Sequence, residues 1–350
     1  MNHLEKRLGV LALAVVALAG CGGSGGSGAS KGEPVDIKMT GSTFSQTAYK
    51  KWAEAFAADP ENKGLKVTYQ PSSSGAAIQQ LMDGAVDIAA TSMPVSDEDL
   101  AKFKIKPIHV PSLTGAIAVA CNVAGVKKDI QLSGQTLANI YLGRIREWND
   151  PDIVVENRGV DLPPVSIAVL HRSDVSGSTY AFTNYLAKAS AAFDKSVGKG
   201  GNVKFPVGKG FDGSDAIADA VAKTPNSIGY MEKGFAAARS LKVIAVKNPA
   251  GEYVKADLSA MAAAADAVTE IPTDLRISIL NTEPKNAYPI TTYAWILVPS
   301  QIPDIAKRRA IKVFIRWAHA AGQNEAMSLD YGTLPQAVSK AALKQVDAIQ

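Results

Sequence analysis

Nine consecutive residues, His171-Arg-Ser-Asp-Val-Ser-Gly-Ser-Thr179, hold one Arg, one Asp, one Gly and four hydroxyl side chains, and present no apolar face. Two other short stretches share this make-up: Gly41-Ser-Thr-Phe-Ser45 and Ser72-Ser-Ser-Gly75. Each lies between an apolar run and a helical pattern, so each joins the carboxyl end of a strand to the amino end of a helix. The first amides of a helix have no intrahelical partner. The aligned peptide dipoles add about half a positive charge at that end. Small residues let those amides approach a guest, and hydroxyls supply further donors, which together make an anion site. The fork of donors on Arg172 suits a tetrahedral oxyanion. Asp174 is suited to orienting that Arg and not to facing an anion. Ser and Thr are also favoured N-caps, and capping explains any one turn. Three such turns, one carrying an Arg, point to anion binding.

Ser176 with His171 close by also raises a serine hydrolase or phosphatase. Ser176 does not stand in a G-x-S-x-G turn. Neighbours on a strand end point to opposite faces, so His171 should not share a face with Arg172. No carboxylates cluster near the turns to hold catalytic metals. Catalysis is not expected, and no cofactor is implied.

The elements that must position these turns follow from periodicity. Residues 35–41, 65–70 and 85–92 read as strands. Between them, Phe44, Ala48, Trp52 and Phe56 recur every four residues, and Ile78, Leu81 and Met82 mark a second helical face. This βαβαβ rhythm predicts a parallel α/β sheet. Further strands are predicted over 115–123, 165–170, 227–231, 242–246 and 289–298. Helices are predicted around Leu137–Tyr141, Tyr180–Leu186 and, last, Ile311–Ala318. The length of 350 residues suggests about two domains. A second α/β domain, residues 111–289, is expected to be inserted in a first formed by 35–110 and 290–350. Trp52, Trp148, Trp295 and Trp317 read as core residues, and His109 as a surface residue.

The first thirty residues stand apart. Lys6 and Arg7 precede a thirteen-residue apolar run, Leu8 to Gly20. That is too short for a span of about 20 residues and fits a signal peptide over 1–20. The run ends Leu18-Ala19-Gly20-Cys21, which resembles a bacterial lipobox. The reading is a lipidated Cys21 and a Gly/Ser tether over 21–34. Cys121 is then left without a disulfide partner and reads as a small core residue. With four His and two Cys, none in metal-ligand spacing, no metal site is expected. The formal net charge of +4 is spread evenly and argues against nucleic acid.

The segments GSTF, YQPSSSGAAIQQL, VDIAATSMPVSDEDL, LANIYLGRIREWND, IAVLHRSDVSGSTYAFTNYL, SIGYM and YPITTYAWILV occur in an order that resembles the phosphate-binding proteins of bacterial phosphate ABC transporters. The resemblance covers about 36–335. It implies a type II periplasmic-binding-protein-like fold, two α/β lobes joined by two crossing hinge strands and closing over one phosphate. It further implies a monomer outside the cytoplasmic membrane that serves an ABC permease. Carried over by residue, the implied ligands are Thr43, Phe44 through its amide, Ser74, Arg172, Ser176, Gly177 and Ser178. Many members have an Asp acceptor where this chain has Ser92. Ser92 is expected to take part; with a hydroxyl there, discrimination against sulfate or arsenate is less secure unless Asp87 swings in as the acceptor. A receptor for another tetrahedral oxyanion is the alternative.

Overall fold

In the computed structural model, which describes residues 34–350, the run from Val35 forms strand β1 (Val35–Ser42), buried throughout from Met39 to its carboxyl end. The signal run, Cys21 and the tether up to residue 33 lie outside the described residues. One 3-10 turn, Thr43–Ser45, leads into α1 (Gln46–Ala58), whose Ala48, Trp52 and Phe56 are buried as their spacing predicts. Then follow β2 (Leu65–Ser72), α2 (Ser74–Met82) and β3 (Ile88–Thr91). β1 pairs parallel to both β2 and β3.

The next strand, β4, is one unbroken run from Pro107 to Asn122. Beyond it lie β5 (Ala168–Arg172), α3 (Gly177–Ala189), β6 (Lys209–Phe211), α4 (Ser214–Lys223), β7 (Ser227–Glu232) and β8 (Thr291–Pro299). The strands form a nine-stranded sheet in the order β2-β1-β3-β8-β4-β7-β5-β6, with Lys242–Val243 also paired to β4. β5 is parallel to β6 and β7, so each half of the sheet has a parallel set. β4 and β8 run antiparallel between these sets. β4 changes partner along its length: Pro107–Ala116 pair with β8, and Ile117–Asn122 with β7. All strand-to-helix turns of interest leave carboxyl ends, where open α/β sheets bind ligands.

Several sequence readings need correction. The run at 165–170 becomes a strand only from Ala168, because Val165 and Ile167 bond instead to the backbone of Trp148 and Arg146. The run at 242–246 is two strands: Lys242–Val243 joins β4, and Ala245–Lys247 joins a separate three-stranded sheet. Both pieces are apolar, so the break leaves no mark in the pattern. The helix Ile305–Ala318 is not the last, since Ala321–Met327 and Gln336–Asp347 follow. His109 is buried, not at the surface. Its Nε2 accepts from the Val95 amide at 3.0 Å, and burial holds its pKa down at about 4, so the ring is neutral. Cys121 is a buried free thiol in β4, pushed up to about 12 by burial, as a packing residue should be.

Phe44 shows how the core reaches the turns. Its ring is fully buried and meets Tyr331 edge-on at 6.4 Å. The tip of the ring also abuts Gly115 of β4: a Cβ there would sit 2.4 Å from Cζ. Gly115→Ala is therefore expected to cost about 1–3 kcal/mol through overpacking, measured by urea unfolding. Phe44→Leu in the same chain should restore part of the loss. An alanine variant as stable as the parent would show that the ring is not pinned there.

Candidate functional site

Each turn is fixed by its own contacts. In the first, Ser42 caps the 3-10 turn by accepting from the Phe44 amide at 3.3 Å. Tyr69 donates to the Gly41 and Ser42 carbonyls, and Tyr331 to the Phe44 carbonyl, so side chains from distant elements hold this backbone. In the second, Ser73 caps α2, which leaves the buried Ser74 hydroxyl free of capping. In the third, Ser176 caps α3 by accepting from the Ser178 and Thr179 amides. Arg172 ends β5 in a buried position. Its Nε donates to Asp174 Oδ1 at 2.6 Å and its Nη2 to Oδ2, a bidentate pair. The Arg172 amide donates to Tyr230, whose hydroxyl, pushed up to about 12 by burial, shares a hydrogen with Thr179 Oγ1 at 2.7 Å.

The turns meet. Ser42 Oγ and Ser92 Oγ, at the ends of β1 and β3, are 3.0 Å apart. The Ser92 amide donates to Ser74 Oγ at 3.2 Å. The Gly75 amide donates to the Val175 carbonyl at 3.1 Å, which ties the second turn to the third. Gly177 presses on Ser92 so closely that a Cβ would fall 2.1 Å from its Oγ, so no larger residue fits. The circle closes through a fourth turn, Phe211-Asp-Gly-Ser-Asp215, between β6 and α4. Ser214 Oγ accepts from Arg172 Nη1 at 3.2 Å and lies 3.1 Å from Thr43 Oγ1.

Counting hydrogens defines the chemistry. A guanidinium carries five N–H groups, and the bonds above use Nε, one of Nη1 and one of Nη2. Two remain. Ser42 Oγ already accepts from Phe44, so the Ser42–Ser92 pair shares one hydroxyl hydrogen and has one left over. Ser74 Oγ accepts from Ser92 and its own hydrogen has no acceptor among the described residues. The Ser178 hydroxyl is buried with no partner at all. Among the described residues, the carboxylate bonded to Arg172 is Asp174, which is taken by Arg172 and by the Gly213 amide, while Asp212 and Asp215 of the fourth turn are exposed and bonded elsewhere. Buried donors in excess of acceptors are costly in an apolar interior. They fit a guest rich in acceptors, such as a small oxyanion.

The structure thus brings Thr43, Phe44, Ser74, Ser92, Arg172, Ser176, Gly177 and Ser178 into one ring of turns, with Asp174 behind Arg172. The amides of Phe44 and Ser178 are engaged by capping hydroxyls, so capping and the site coexist in these turns. Asp87 is not part of it. It stands before the amino end of β3, where it accepts from the Lys38 amide and from Lys307 Nζ at 2.8 Å. His171 turns away from Arg172: its ring stacks on Phe205 at 4.7 Å, and its Nδ1 meets the Arg172 carbonyl. It makes no bond to Ser176. Ser214 was missed by the sequence reading. The strand before it has only three residues, too short for a periodic signal, but Gly-Ser before the Ile217/Val221 helical face repeats the chemistry of the other turns.

A domain description, PBP superfamily domain, matches residues 28–321. The chain is 36% identical over 302 residues to the phosphate-binding protein PstS of Pasteurella multocida, covering 85% of this chain and 86% of that one. It is 33% identical over 346 residues to the PstS of Methanocaldococcus jannaschii, covering 91% and 88%. A crystal structure of the phosphate-binding protein of Stenotrophomonas maltophilia superimposes with a TM-score of 0.71 at 16% identity, over 89% of this chain and 93% of the other, which shows a common fold.

Beside the first turn lies a buried acid. Glu232, at the carboxyl end of β7, accepts from the Gly234 amide at 2.8 Å and approaches the Tyr331 hydroxyl that holds Phe44. Burial pushes its carboxyl up to about 8, against partial relief from the Gly234 amide and Lys233. The folded state then keeps a proton that the unfolded chain releases near the ordinary carboxyl value of 4.5. The Glu232 contribution to stability falls as pH rises from about 5 to 8, by up to about 1.4 kcal/mol per pH unit. Glu232→Gln should flatten that decline in urea midpoints at pH 5, 6.5 and 8. Parallel declines in both proteins would remove Glu232 as the cause.

Proposed function

Because the chain belongs to the PBP superfamily, and within it to the PstS phosphate-binding proteins, we propose that it captures inorganic phosphate outside the cytoplasmic membrane and presents it to an ABC permease for import. The observation that carries this reading is the surplus of buried donor hydrogens on Ser74, Ser178, the Ser42–Ser92 pair and Arg172. Phosphate is tetrahedral, small and rich in acceptors. Uncharged donors surround it, and Arg172, braced by Asp174, offsets part of its charge. Thr43, Ser176, Gly177 and the Phe44 amide, which shares its hydrogen between the Ser42 cap and the anion, complete the set of ligands.

In this reading residues 35–110 with 290–350 form one lobe and 111–289 the other, and β4 and β8 cross between them. The lobes close when the anion binds the closed state better than the open one. No bond is made or broken. The receptor is a monomer. Its Cys21 carries lipid after loss of residues 1–20, and the Gly/Ser tether gives it reach from the membrane.

Ser92, in place of a carboxylate, can accept a hydrogen bond from the P–OH of hydrogen phosphate or donate one to a fully ionised oxyanion. The alternative ligand is therefore sulfate or arsenate, and one titration series separates the readings. Calorimetry should find phosphate bound most tightly, and Arg172→Ala should weaken it by about 100-fold or more, as expected for losing two charge-assisted hydrogen bonds of about 1.5–3 kcal/mol each. A preference for sulfate would replace phosphate in this assignment. For the anchor, Cys21→Ala should move the protein from the membrane to the soluble fraction of expressing cells, whereas an unchanged distribution would discard lipidation.

A further inference from the structure

The fourth turn has a role that the three sequence-evident turns do not cover. Ser214 is the first residue of α4 and is fully buried. It does not cap its helix: Gly213 occupies the cap position with φ +85°, and α4 has no side-chain cap. All of Ser214's side-chain bonds go to other turns, to Arg172 Nη1 and to Thr43 Oγ1. Its amide also donates to Thr43 Oγ1 at 3.3 Å. Arg172 can only donate, so Ser214 Oγ is the acceptor there. Thr43 Oγ1 is the acceptor of the Ser214 amide. Two hydroxyl hydrogens remain between Thr43 and Ser214, and their mutual bond uses one. The other has no acceptor among the described residues. It is held beside the guanidinium whose two remaining N–H groups are also without partners.

The flanking acids do not oppose an anion there. Asp212 is exposed and accepts from Ser173 at 2.5 Å, and Asp215 is exposed and paired with Gln46 and Arg239. On the neighbouring turn Ser178 is buried with its hydroxyl unpartnered, a second donor in want of a guest.

We propose that Ser214 is a further anion ligand, contributed by the turn before α4, and that it donates to the bound oxyanion while keeping Arg172 Nη1 and Thr43 in line. This rests on the phosphate reading above. The oxyanion takes the surplus hydrogen, Ser214 Oγ continues to accept from Arg172, and the hydroxyls of Ser214 and Thr43 are then satisfied. With Ser92 offering no carboxylate, the donor wall is one hydroxyl larger than the three turns alone supply.

Inorganic phosphate titrated by calorimetry into the full chain, Ser214→Ala, Ser214→Gly and Ser214→Thr tests it, with urea midpoints measured alongside. Loss of one hydrogen bond to a charged guest weakens binding by about tenfold or more. Ser214→Ala and Ser214→Gly should show that loss, and Ser214→Thr should return to within about threefold of the parent. Parent-like affinity in either folded hydroxyl-free variant overturns the proposal. A loss that Ser214→Thr does not recover, with stability unchanged, also overturns it, because the hydroxyl would not be the cause. If the parent fails to bind phosphate, the series is repeated with sulfate and arsenate. A drop confined to the hydroxyl-free variants there keeps Ser214 and discards phosphate. Absence of any anion binding overturns both.

Discussion

The grip of Asp174 on one edge of the Arg172 guanidinium is the interaction on which the arrangement of the turns depends. A guanidinium buried at the end of a strand would be expensive without a partner. Asp174 supplies one from only two residues away, and from one side only. The fork is planar and rigid, so fixing that edge fixes the direction of the opposite one. Nη1 then reaches Ser214, and Ser214 reaches Thr43. A single local ion pair thereby aligns residues separated by well over a hundred positions in the chain.

Around that pair the remaining polarity is neutral. Hydroxyls from the ends of β1, β3 and β6 share hydrogens in the Ser42–Ser92 and Thr43–Ser214 pairs, and Gly75 and Gly177 let the backbones meet. Neutral donors fixed in place need no reorganisation when a guest arrives, and they carry little charge that a wrong ion of the same shape could sense. Selectivity then rests on acceptor geometry and on the few atoms able to accept a hydrogen bond. In this chain those atoms are hydroxyl oxygens, Ser92 among them.

Much of this was legible in the residues, and the gaps have physical causes. Helix faces carried by large residues, such as Trp52 and Phe56 in α1, were plain because their period survives any tertiary context. The turns at Ser42, Ser74 and Ser176 stood out by composition. Ser214 did not, because the three-residue strand before it shows no periodicity, and its chemistry appears only when Arg172 is placed beside it. The burial of His109 was hidden because its partner is a backbone amide at Val95, and backbone partners leave no trace in the alphabet of side chains. The break at Ile244 was hidden because both sheets it joins want apolar residues. The hydrogens left over on Ser74 and Ser178 required coordinates, since an unmet donor is a property of its surroundings.

Strand β8, residues 291–299, slots between β3 and β4 and completes the hydrogen-bond ladders of both. Until that late segment exists, two earlier strands present raw edges to whatever passes, and such edges invite pairing with other chains. A nascent copy therefore has no finished sheet until nearly three hundred residues are available, and contacts so distant in sequence form slowly. The molecule's period of greatest exposure to aggregation is set by its connectivity and falls before its last fifth is in place.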